Sequence, residues 1–165
     1  MRHAQAVPAG SAPDRTRALT AAGEEQAVAL GRALRARGLV PDLVVTSDAA
    51  RARRTAELVV GDDDWPVVVD PDVYEASPPR LGAVLEHHAA TATTTVLVCH
   101  EPGASGLSVA LAGPSADADA AVSRASVLAG LGTAEAAVLR WGTEHARLCT
   151  GAAELVEVLR PGDAA

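Results

Sequence analysis

Residues 93–113 read TTTVLVCHEPGASGLSVALAG, and this stretch decides the fold. Val96 to Val98 is a short, continuous apolar run, the pattern of a strand buried on both faces. His100 follows almost at once. Pro102 then opens a helix that Gly113 stops. A strand leading through a short loop into a helix is the unit of an α/β sheet. It leaves His100 just past the strand's carboxyl end, where such sheets hold their sites.

The same unit recurs along the chain. In PDLVVTS a strand over Leu43–Val45 is bounded by a proline and Ser47, and DAARARRTAELVV reads as the helix after it. GDDDW is an acidic turn, and PVVVD supplies a strand over Val67–Val69. SPPRLGAVLEHHAA begins with a helix-start signal and carries Leu81, Val84 and Leu85 on one side. Earlier, Thr20 caps a helix reaching about Arg37, with Gly38 as its stop and Ala27, Leu30, Ala33 and Leu34 as its apolar side. Ala6–Arg17, rich in Pro, Gly, Ser and Asp, reads as a loop. Pro114–Ala121, polar and alanine-rich, reads as another. AAVLRW and LVEVLRP give two closing strands. There is no internal repeat and no linker. The pattern predicts one α/β domain over 1–165: a three-layer α/β/α sandwich with a mostly parallel central sheet flanked by helices.

Composition narrows the class. A chain of 165 residues can bury a sizeable core, and 48% hydrophobic against 21% charged residues excludes a disordered chain. No apolar run is long enough to span a membrane, and the start lacks a signal-peptide core. The expectation is a cytoplasmic protein with no membrane partner. A net charge of −7 argues against nucleic-acid binding. Cys99 and Cys149 form no disulfide framework and read as structural thiols. There is no lysine, so all 14 basic residues are arginine. An arginine's meaning must therefore come from its position.

Two clusters follow strands and a third opens the chain. They are RHA at residues 2–4, TSDAARARRTAE after Leu43–Val45, and CHEPG after Val96–Val98. If RHA also ends a strand, Arg2, His3, Arg51 and His100 converge at one end of the sheet. Covalent phosphoryl transfer needs such a set: a nucleophile in line with the leaving group, and cations around the oxygens.

These stretches resemble the histidine phosphatase superfamily, which includes the phosphoglycerate mutases, and within it the SixA-type phosphohistidine phosphatase branch. RHA matches an Arg-His-Gly/Ala motif. DRTRALTAAG is similar to Asp, a short gap, Arg-Pro-Leu-Thr, then Gly. SDAARARRTAEL resembles Ser-Pro-x-x-Arg-Ala-x-x-Thr, YEASPPRL resembles Tyr-Glu-Ala-Ser-Pro, and CHEPGASGL resembles Gly-His-Asn/Glu-Pro-Gly. They run in family order from Arg2 to about Gly113. The resemblance implies a phosphoglycerate mutase-like fold, with His3 as nucleophile, Arg2 and Arg51 on the phosphoryl oxygens, and His100 as a further cationic donor. It implies no metal and no cofactor. Glu75 lies near the segment that supplies an acid in the ester phosphatases, and it is the tentative acid here. Phosphohistidine needs less help, because its leaving imidazole has a conjugate acid pKa of about 6.5.

The implied partner is a phosphohistidine-bearing protein; a small phosphorylated metabolite is the alternative. The family's ester phosphatases often carry inserts that cap the pocket, and none is read here. A module that binds phosphate without hydrolysing it is the third reading. Several neighbours have plainer readings. Arg53, Arg54, His87 and His88 fit solvated helix faces, His145 an exposed turn, and Glu101 a helix-start carboxylate.

Cys99 stands where the family has glycine, which questions the packing beside His100, and Asp48 stands where it has proline. The family also places an apolar strand before RHA, where this chain has only Met1. Three or four buried apolar residues, at about 1.5–3 kcal/mol each, approach the net stability of a domain, about 5–15 kcal/mol. The expectation is that the first strand is truncated before Arg2. In the chain as written, His3 is expected at a frayed terminus, with the α-amino group adding positive charge beside the phosphate.

Overall fold

The protein is described by a computed structural model covering residues 1–10, 13–115, 117–141 and 150–163. His145 and Cys149 lie outside the described residues. In chain order the elements are α1 (Ala21–Ala36), β1 (Leu43–Thr46), α2 (Ala50–Val60), β2 (Val67–Val69), α3 (Pro78–His88), β3 (Thr95–Val98), α4 (Gly103–Leu111), α5 (Ala118–Leu128), β4 (Ala136–Trp141) and β5 (Ala153–Leu159).

The three short apolar runs pair in parallel in the order β2-β1-β3. Val44 lies opposite Val67 on one side and Val96 on the other. Because side chains alternate along a strand, β1 feeds two cores. Leu43 and Val45 join Leu97, Cys99 and the apolar sides of α3 and α4. Val44 and Val98 point the other way, onto Ala52, Ala56 and Val60 of α2. Helices thus cover both faces, as the continuous apolar runs require. β4 and β5 form a separate antiparallel pair.

Met1–His3 joins the two sheets. The Met1 amino group donates to Leu97 O at 2.8 Å. Cys99 N donates to Met1 O and His3 N to Cys99 O, each at 3.0 Å. On the other side Arg2 N donates to Glu135 O at 3.0 Å, and Ala134 N to His3 O at 3.2 Å. The expected frayed terminus is therefore corrected. His3 is held by backbone pairing on both edges and is only 8% exposed. Cys99 is accommodated where glycine was expected: it is buried among core side chains.

Helix boundaries follow local chemistry. Thr20 Oγ1 accepts from Gly23 N at 3.0 Å and starts α1, and Gly38, at φ +66°, follows its end. The loop expected over Pro114–Ala121 is partly a helix, since α5 begins at Ala118. Asp117 caps it, accepting from Asp119 N at 2.7 Å and Ala120 N at 3.2 Å. Among the described residues no helix is long and apolar enough to cross a membrane.

Candidate active site

The carboxyl ends of β1 and β3 and the Met1–His3 segment bring His3, Arg51 and His100 into direct contact. Arg51 is the hub, and it is 4% exposed. Its Nε donates to His3 Nε2 at 3.0 Å, and its Nη2 lies 3.2 Å from His100 Nδ1. The two imidazoles meet edge to face, with centroids 5.1 Å apart.

These contacts fix both tautomers, because a guanidinium only donates. His3 Nε2 accepts from Arg51, so its ring proton sits on Nδ1 and is donated to Ala4 O at 2.8 Å. His100 Nδ1 accepts from Arg51, so its proton sits on Nε2, facing Ser47 Oγ at 2.9 Å. Burial lowers the pKa of His3 to about 4; the Ala4 contact opposes this, and the charges of Arg51, Arg2 and Arg17 add to it. Burial, with His3 and Arg51 as further causes, lowers that of His100 to about 3. Both rings are neutral at pH 7. The expected positive charge on His100 is one that an adjacent dianion would induce.

Arg2 Nη1 donates to Leu131 O at 2.9 Å. Its Nε is buried and lacks a hydrogen-bond partner among the described residues. Glu75 is exposed and stands in the left-handed region at φ 49°. The structure does not bring it against His3. Arg53 and Arg54 are exposed, and Arg54 pairs with Glu24 at 2.8 Å. His87 is exposed, whereas His88 is half-buried, with Nε2 2.8 Å from Asp70 Oδ2. Glu101 accepts from Ser105 Oγ within the first turns of α4, at 2.8 Å.

Five residues at the site were given no role from sequence. Thr55 Oγ1 accepts from Ala4 N at 3.0 Å and donates to Arg51 O at 2.6 Å, tying the Met1–His3 segment to α2. Ser47 holds His100. Asp14 meets Arg51 twice: its main-chain oxygen takes Nη1 and its Oδ2 takes Nη2, each at 2.8 Å. Tyr74 OH donates to the same Oδ2 at 2.7 Å, and Arg17 Nη1 donates to Oδ1 at 2.7 Å. The Tyr74 hydrogen bond, outweighing burial and joined by Arg51 and Arg17, holds the Asp14 carboxyl far below the ordinary carboxylate range. The Tyr74 ring stands edge-on to His100, and Arg15 lies 4.1 Å over its face. All five residues fall inside the motif stretches quoted above, which was the available signal.

A neutral, tautomer-fixed histidine contacts a buried arginine at a parallel sheet's carboxyl edge, where such sheets hold their sites. The chain belongs to the histidine phosphatase superfamily: the family's branch 1 profile matches residues 1–82. A structure described as "putative phosphohistidine phosphatase SixA" from Agrobacterium tumefaciens is similar at 25% identity and TM-score 0.77, over 98% of this chain and 95% of that one. A second with the same description, from Nakamurella multipartitia, gives 28% and 0.76, over 98% and 93%. A "putative alpha-ribazole-5'-P phosphatase" from Escherichia coli shares the fold at 19% and 0.68, over 98% and 95%. No curated protein sequence gives a significant match. Membership and neighbours indicate a phosphatase.

Proposed function

We propose that this phosphatase removes the phosphoryl group from phosphohistidine on a protein, through a phosphoryl-enzyme on His3. His3 Nε2 carries the lone pair and attacks phosphorus. The substrate's N–P bond breaks, and its electron pair stays on the departing imidazole. Water then attacks the phosphorus of phospho-His3, releasing phosphate and returning the pair to Nε2. Arg51, Arg2 and His100 hold the phosphoryl oxygens. His100 takes up a proton as the dianion arrives, since a neighbouring negative charge favours the imidazolium. These groups supply the charge, so the reaction needs no added metal.

One observation carries the choice of substrate. The carboxylate that reaches the Arg51–His3 cluster is Asp14, and it is ionised and so has no proton to give. An alkoxide leaving group needs that proton, whereas a leaving imidazole needs it far less. Glu75, exposed and next to Tyr74, remains the candidate acid for the ester alternative.

The test is a substrate panel with EDTA present: a phosphorylated histidine-phosphotransfer protein against sugar phosphates and nucleotides. The expected result is fastest turnover of the phosphoprotein. It should be accompanied by an acid-labile phosphoryl-enzyme that His3→Ala abolishes. Faster turnover of a small ester would move the assignment to a phosphomonoesterase. Absence of any phosphoryl-enzyme or turnover would leave a binding module.

A further inference from the structure

Arg51 is engaged by side chains and backbone of its own chain. A guanidinium has five N–H donors. Four of Arg51's are placed here, on His3 Nε2, Asp14 O, Asp14 Oδ2 and His100 Nδ1. The remaining one cannot form the two-point grip that a phosphoryl group takes from an arginine. The contact to His3 also covers the lone pair that must attack phosphorus. Substrate therefore cannot be held until Arg51 gives up partners, and the charged partner it holds most closely is Asp14.

We propose that Asp14 is a specificity-determining residue: a resident carboxylate on the phosphoryl-binding donors, which only a dianionic phosphoryl group displaces. The proposal rests on the phosphatase reading above. The Asp14 carboxylate draws on Arg51, Arg17 and the Tyr74 hydroxyl, two guanidiniums and a phenol. That is a set of donors suited to phosphate oxygens. Its side chain is 37% exposed, at the outer side of Arg51, which is 4% exposed. It sits in a three-residue turn, Asp14–Thr16, after Pro13, so it can leave outward. The donors are fixed more firmly: Arg51 is buried on α2, and the Tyr74 ring lies between His100 and Arg15.

The discrimination follows from charge. A carboxylate offers one negative charge and two oxygens, whereas a phosphoryl group offers nearly two charges and three oxygens. Exchanging Asp14 for a dianion strengthens every donor contact. Exchanging it for a monoanion, such as a carboxylate or a phosphodiester, gains nothing. The displaced Asp14 also remains nearby as a like charge, so removing its charge should tighten all anions and bring monoanions, which cannot displace it, into measurable binding. If Asp14 merely positions Arg51, the sign reverses and its removal weakens binding.

Calorimetric titration at pH 8 separates these outcomes, with inorganic phosphate as the dianion and dimethyl phosphate as the monoanion. Asp14→Asn keeps the shape and the main-chain contact to Arg51. It should bind phosphate at least about tenfold more tightly than wild type, the effect of removing one like charge a few ångströms away. It should also gain measurable affinity for dimethyl phosphate. Asp14→Ser should move the same way, and Asp14→Glu, which keeps the charge, should bind phosphate as weakly as wild type. If wild type binds phosphate and neither Asn nor Ser binds it more tightly, Asp14 is no such gate. If wild type and all three folded variants bind no phosphate, the phosphatase reading fails and this one with it.

Discussion

His3 and His100 are buried neutral, and this ties the site to the stability of the fold. An unfolded histidine titrates near 6.5, whereas these two fall to about 4 and about 3 when folded. Between those values and 6.5 the unfolded chain binds protons that the folded chain does not, so stability drops as pH falls. Above about pH 7 neither group contributes a slope. The melting temperature should therefore be flat in these terms from pH 7 to 8 and decline from pH 6.5 towards 4.5. His100→Gln should make that decline shallower; thermal melts across the range provide the check, and an unchanged slope would mean that His100 is not buried neutral. His3, Arg51 and His100 were legible in the sequence because each lies where a strand hands over to a loop or helix. Ser47, Thr55 and Tyr74 were not, because a hydroxyl in a motif has no visible partner until the chain folds. Asp14 was hidden for the same reason. Its charge was plain, but its three donors come from positions 17, 51 and 74.

Among the elements, α1 is the one that presses the Met1–His3 extension into place. Gly23 permits this approach: a Cβ there would lie 2.0 Å from Gln5 O and 2.9 Å from Gln5 C. Both are backbone atoms, so no side chain can swing aside. Gly23→Ala gains a little helix propensity but must push α1 off the segment that carries His3. Overpacking of this kind costs about 1–3 kcal/mol. In a domain of this size that is a fall of roughly 2–4 °C in Tm per kcal/mol. A Tm equal to or above wild type would show that α1 moves freely there. The strands and the first four helices were readable from apolar runs and caps. α5 was not, because only Ala120 and Val127 along it are buried, which leaves no apolar stripe to detect. Its one strong signal, the Asp117 cap, was lost in an alanine-rich stretch that resembles a loop.

At the scale of the whole molecule, the two sheets meet through Met1–His3. Met1–His3 sutures β3 to the residues before β4 only at the site end. Beyond Met1 a groove of about 990 Å³ runs on between the strands, with Thr95 and Leu97 on one wall and Ala137, Leu139 and Trp141 on the other. Trp141 Nε1 is buried and unpartnered among the described residues. The groove continues the line of a strand whose ladder Met1 already starts, donating to Leu97 O and accepting from Cys99 N. An apolar extension placed before Met1 should therefore enter as a further strand. Three valines would bury about 1.5–3 kcal/mol each. Ordering their backbone costs about 1–2 kcal/mol per residue, which leaves a net gain of about 2 kcal/mol at the middle of both ranges. A Val-Val-Val extension should accordingly raise Tm by several degrees, and a Gly-Ser-Gly extension of equal length should not. The valine extension should also slow amide exchange at Leu97 and Leu139, whose strands would gain a neighbour. Because His3 is held through the same ladder, the phosphoryl-enzyme yield should rise with Tm. Equal melting temperatures for the two extensions would show that the groove does not accept a strand, and that the suture at Met1–His3 is sufficient to hold His3.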